Sequence, residues 1–139
     1  MTNIHPIVVH FPFALLAAAL LLELGAVLFR RDELSRLAWW NQILGTLGFI
    51  ASVASGLLAE RTVRFSEPAR EVFETHEQIA FFAAALFAGL LFWRIAAKGR
   101  VPERPRFLFL LLLAAAVILM TTGAWFGGEL VYKYGVGVG

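Results

Sequence analysis

The stretch FLFLLLLAAAVILMTTGAWF, residues 107–126, carries twenty residues in a row without a charge or a proline. A helix crossing the hydrocarbon core of a bilayer needs about 20 apolar residues, and this run far exceeds an ordinary strand, so it predicts a membrane-spanning helix. Three further runs of the same kind, 7–29, 37–59 and 79–97, precede it. The first is stopped by Arg30, Arg31 and Asp32, and the second by Glu60 and Arg61. Ser66-Glu67-Pro68, a capping residue followed by an acid and a first-turn proline, predicts that the third helix starts outside the lipid and runs inward. Pro102 and Pro105 precede the fourth run, and Gly127-Gly128 follow it.

The reading is therefore all-α: an integral membrane four-helix bundle, up-down-up-down, in one domain over residues 1–139. Composition agrees, since 60% hydrophobic and 16% charged residues with a mean hydropathy of +0.76 leave too little polar surface for a soluble globule. The net charge of +2 does not indicate nucleic acid, because the basic residues lie between apolar runs and form no single patch. With no cysteine, disulfides, thiolate ligation and covalent haem attachment are excluded. Residues 1–13 hold no Lys or Arg, so the first run is expected to persist as a span instead of being cleaved as a signal peptide.

Arginines orient the spans. Arg30, Arg31 and Arg36, with Lys98, Arg100, Arg104 and Arg106, flank one side of the bundle, and Arg94 lies just inside the third span on that side. Arg61, Arg64, Arg70 and Lys133 mark the other. The positive-inside rule makes the first side cytoplasmic and places both termini on the non-cytoplasmic side of a bacterial inner membrane. Trp39, Trp40 and Trp93 then form an inner aromatic belt, and Trp125, Tyr132 and Tyr134 an outer one.

All three histidines, His5, His10 and His76, fall at the non-cytoplasmic side in this topology. Imidazoles at a membrane border point to a haem or metal site. The opening His5-Pro6-Ile7-Val8-Val9-His10-Phe11-Pro12, the pair His76-Glu77, and the closing Thr122-Gly123 followed by GGELVYKYGVGV resemble the domain-of-unknown-function 2231 family, small four-span bacterial membrane proteins. The resemblance covers essentially the whole chain. Members occur fused to cytochrome c-like or Rieske-type domains, which implies a membrane-bound electron-transfer role and redox proteins of those kinds as partners.

The residues themselves support a non-covalent b-type haem. His10 heads a face with Ala14, Ala17, Leu21 and Gly25, and His76 heads one with Ala80, Ala83 and Phe87, at helical spacing. The second span adds a slim face of Gly45, Gly48, Ser52 and Gly56. Small residues also pack membrane helices with no cofactor at all, and for the stripes alone that is the better explanation. His10 and His76, on helices running the same way, are the expected axial pair, with Arg61, Arg64, Arg70 and Lys133 placed for propionates. His10 stands about 9 Å deeper than His76, an offset that a kink at Pro12 or helix tilt must absorb. His5 matches His76 better in height but precedes the first turn and is the weaker ligand.

A rival set of His5, His10 and His76 with Glu77 or Glu129 would hold zinc or copper. A third reading has no cofactor and makes the protein a membrane anchor or assembly partner, with a homo-oligomer open to it. A carrier or binding protein is favoured over a catalyst, because Ser52, Ser55 and Thr121 lie in apolar spans with no base beside them. Glu23, inside the first span, is expected to reach toward Arg30 or Arg31, with Asn41 or Gln42 as alternative partners. Glu129 either rides on a segment that folds over the outer mouth at Gly127-Gly128 or merely caps the helix.

Overall fold

The computed structural model describes residues 5–61, 63, 65–101 and 103–137, with side chains from Val9 onward in the first helix. Four helices follow one another: α1 (His5–Phe29), α2 (Asp32–Glu60), α3 (Glu67–Ala96) and α4 (Arg106–Tyr132). No strand occurs among the described residues. Each helix is long and apolar enough to cross a membrane. Every one also outruns the apolar stretch that announces it, because the backbone ladder does not depend on apolar side chains. The third gains most: α3 opens at Glu67, with Pro68 in its first turn, well before the apolar run at 79.

Residue pairs fix the directions. On α1 and α2, Gly45 meets Leu15 and Leu16, and Gly48 meets Pro12. On α2 and α3, the rings of Phe49 and Phe87 stand 5.6 Å apart edge to face. On α3 and α4, Trp93 and Phe109 do the same at 5.8 Å. Gln42 meets Arg94 and His76 meets Gly123 as well, so each neighbour runs antiparallel to the one before, the up-down-up-down bundle of the sequence reading. α1 packs closely with α2 and α3 with α4, whereas the two hairpins meet more sparsely along α2–α3 and α1–α4.

The α1–α2 contact is close because its glycines carry no side chain: a Cβ on Gly45 would lie 2.7 Å from Leu16 Cγ. The buried core, Leu16, Ala83, Phe87, Leu90, Val101, Phe109, Leu113, Ala116 and Met120, occupies the middle of the bundle and the end where α3 finishes. Leu21, Leu28, Phe82, Phe92, Phe107 and Ile118 face outward, so apolar side chains cover the outside as well as the inside. That pattern suits helices solvated by lipid. At the α3–α4 turn Gly99 takes φ +79°, a left-handed conformation that favours glycine, and its N–H donates to Arg94 O at 2.8 Å.

Candidate functional site

Two polar centres lie at opposite ends of the bundle. At the first, the Arg94 guanidinium is 1% exposed and all five of its N–H donors are used. Nη1 meets Glu23 Oε1 at 2.6 Å and donates to Gln42 Oε1 at 3.1 Å. Nη2 donates to Ser35 O at 2.7 Å and Ser35 Oγ at 3.1 Å, and Nε donates to Gly99 O at 3.1 Å. Ser35 Oγ in turn donates to Glu23 Oε1 at 2.9 Å. The rings of Trp39 and Phe109 lie 5.3 and 5.9 Å from the guanidinium carbon, within cation–π range. One side chain of α3 thus joins α1, α2 and the turn into α4, and rests near a ring of α4 itself.

Glu23 therefore does not turn toward Arg30 or Arg31, which are exposed. It lies on the inward face with Leu16 and Ala19, and the only way to keep a carboxylate there is to pair and hydrogen-bond it. Sequence reasoning counted Arg94 among the orientation charges and missed this partnership. The available signal was an intramembrane acid with an intramembrane base elsewhere in the chain.

The second centre is His76. Its Nδ1 lies 2.7 Å from Gly123 O on α4, close enough for an N–H donated to that carbonyl, and its ring sits so near Gly127 that a Cβ there would lie 3.2 Å from Cε1. The glycine pair at 127–128 consequently does not break α4, which continues to Tyr132; Gly127 instead makes room for the imidazole. Glu129 is thus a residue of the helix and not of a folded-back lid. Its carboxylate pairs with Lys133 Nζ at 2.5 Å. Bonds to Glu129 and then to Tyr134 hold the Lys133 ammonium above its ordinary pKa. Between Ala69 and Ala83 the residues of α3 are half-buried or exposed, and His76 itself is half-buried.

The remaining candidate residues are not gathered there. Ala83 and Phe87, on the face His76 heads, are buried. The face headed by His10 turns outward, with His10, Ala14 and Leu21 all exposed. The backbones of α1 and α3 do not approach one another, being diagonal in the bundle, and the Glu23–Arg94 pair reaches across between them. The pairs Pro12–Gly48, Phe49–Phe87 and Glu23–Arg94 set His10 deeper than His76 by about five to ten residues, or about 8–15 Å.

Gly48 receives Pro12, and the buried Ser52 hydroxyl donates to Gly48 O at 2.9 Å, so both serve the α1–α2 contact. Arg61 is exposed, and Arg70, also exposed, lies 3.6 Å from Glu74 one turn along α3. Glu77 is half-buried. Arg64 and the His5 side chain lie outside the described residues. Among the described residues no three His, Asp or Glu side chains converge as metal donors.

No curated protein and no solved structure matches the chain. A family model described as a predicted membrane protein, DUF2231, matches residues 1–139. With that match over its whole length, and with four helices fit to cross a bilayer, the chain belongs to the DUF2231 family of predicted membrane proteins.

Proposed function

We propose that the protein binds a b-type haem in the membrane and serves electron transfer, with His76 as one axial ligand. The observation that carries this reading is the 2.7 Å contact between His76 Nδ1 and Gly123 O. A histidine that donates one ring N–H to a backbone carbonyl presents its other nitrogen as a lone-pair donor, the arrangement in which protein imidazoles ordinarily hold a metal. The two hairpins meet more sparsely with each other than the helices do within each hairpin, and a ligand at His76 would sit where they adjoin. The second ligand would come from the start of α1; because His10 is exposed and lies deeper than His76, His5 is the candidate we favour. Bis-imidazole ligation leaves no open iron position, which suits electron transfer better than oxygen binding.

The test is the visible spectrum of protein purified in detergent from haem-replete cells, oxidised and then reduced with dithionite. Resolved low-spin bands are expected, and they should vanish in His76→Ala. His5→Ala should remove them and His10→Ala should leave them. A colourless protein that gains no such bands on reconstitution with haem overturns the reading, and zinc or copper found by elemental analysis would replace it with the non-haem site.

A second reading, a cofactor-free anchor or assembly partner, draws on the network around Arg94. There, buried polar groups tie helices directly to one another. Under it the His76–Gly123 bond is one more such tie.

A further inference from the structure

Beside the ion pair, two buried polar groups have no protein partner. Gln42 Oε1 accepts from Arg94 Nη1, which fixes the amide and leaves Nε2 on its other side. That Nε2 makes no hydrogen bond, and neither does Thr46 Oγ1 one turn along α2, although both residues are 0% exposed. Thr46 departs from its peers. Ser52, Thr121 and Thr122 each donate to the carbonyl four residues back, at 2.8–2.9 Å, and Thr46 does not. Its hydroxyl is therefore left without the bond to its own helix that those peers make.

Side chains four residues apart on one helix face are neighbours, and a single water can serve two such polar groups with a hydrogen bond to each. The register of α1 against α2 sets Ala19, a buried small residue, at the level of Gln42. An apolar ligand would leave both groups unsatisfied, and a charged one would meet the complete Glu23–Arg94 pair without a counter-charge of its own. We infer that Gln42 Nε2 and Thr46 Oγ1 hold an internal water, which extends the Glu23–Arg94 network along the inner face of α2. The water accepts from the amide N–H and exchanges a hydrogen bond with the hydroxyl. It rests on the polar groups at this end alone and is independent of any haem at His76.

Magic-angle-spinning NMR on the full chain in phosphatidylcholine nanodiscs tests this directly, by following magnetisation from water into side chains. The Gln42 side-chain amide and the Thr46 β position should receive it at least several-fold faster than the buried Leu113. Thr46→Val should abolish the fast transfer to Gln42 and lower the melting temperature, while Thr46→Ser should preserve both. Transfer to Gln42 and Thr46 as slow as to Leu113 overturns the proposal, and so does a Thr46→Val protein that melts higher than the wild type. Should Thr46→Val fail to fold, the wild-type and Thr46→Ser transfer rates decide alone.

Discussion

Arg94 and Glu23 show how one residue pair can dominate the energetics of a membrane bundle. Each charge is buried to 1% exposure, so each depends on the other and on Ser35 and Gln42 for compensation. Removing one partner strands a charge in a low-dielectric interior, which costs about 3–5 kcal/mol, whereas replacing both with apolar residues of similar volume is often neutral. Arg94→Met and Glu23→Leu are each expected to destabilise the protein by about that amount in detergent unfolding, and the double variant by far less than the two together. Additive losses would show that the two charges do not depend on one another. No local spacing links the two, which lie far apart in sequence, so only their shared place inside membrane spans could have paired them. His76 was easier to read: its face carries Ala83 and Phe87 at helical spacing, and both are buried.

At the scale of elements, the helices obey lipid solvation and close packing more than amphipathicity. Apolar runs mark where a helix crosses, and that much was legible. They do not mark where it ends: the polar start of α3 and the Gly127-Gly128 stretch of α4 are both helical. A glycine in a helix costs up to about 1 kcal/mol against alanine, so its presence needs a neighbour that uses the space. At Gly45 that neighbour is Leu16, and at Gly127 it is the His76 ring. Gly89 has nothing within 4 Å of where its Cβ would stand. Gly45→Ala is therefore expected to destabilise by about 1–3 kcal/mol through overpacking against Leu16. Gly89→Ala should instead stabilise by about 0.5–1 kcal/mol, from helix propensity with no steric cost. Equal responses at the two sites in thermal unfolding would mean that the α1–α2 contact is looser than the Gly45–Leu16 approach implies.

For the whole molecule, antiparallel packing puts the α1–α2 turn and the α3–α4 turn at one end, and the end of α2, the starts of α1 and α3 and the end of α4 at the other. The membrane side on which each end lies depends on the charges that remain free to be counted. Arg94 drops out of that count, because it is buried inside the bundle and does not lie in a loop. The residues left at its end, Arg30, Arg31, Arg36, Lys98, Arg100 and Arg104, are exposed, and Arg106 adds to them at the start of α4. At the His76 end Arg61, Arg70 and Lys133 are exposed, but Arg70 and Lys133 lie beside Glu74 and Glu129. Acidic neighbours weigh little in orientation, so the bias rests on the number of Lys and Arg near each end, which still favours the Arg94 end as cytoplasmic. A reporter that is active only outside the cytoplasm should accordingly work when fused at residue 139 and fail when inserted between Arg30 and Arg36. Replacing Arg30, Arg31 and Arg36 together with Gln should weaken or invert that pattern, whereas Arg94→Gln should leave it unchanged even as it destabilises the fold. Activity in the 30–36 loop of the wild-type chain would put His76 on the cytoplasmic side and require the donor and acceptor of any electron it carries to meet it there.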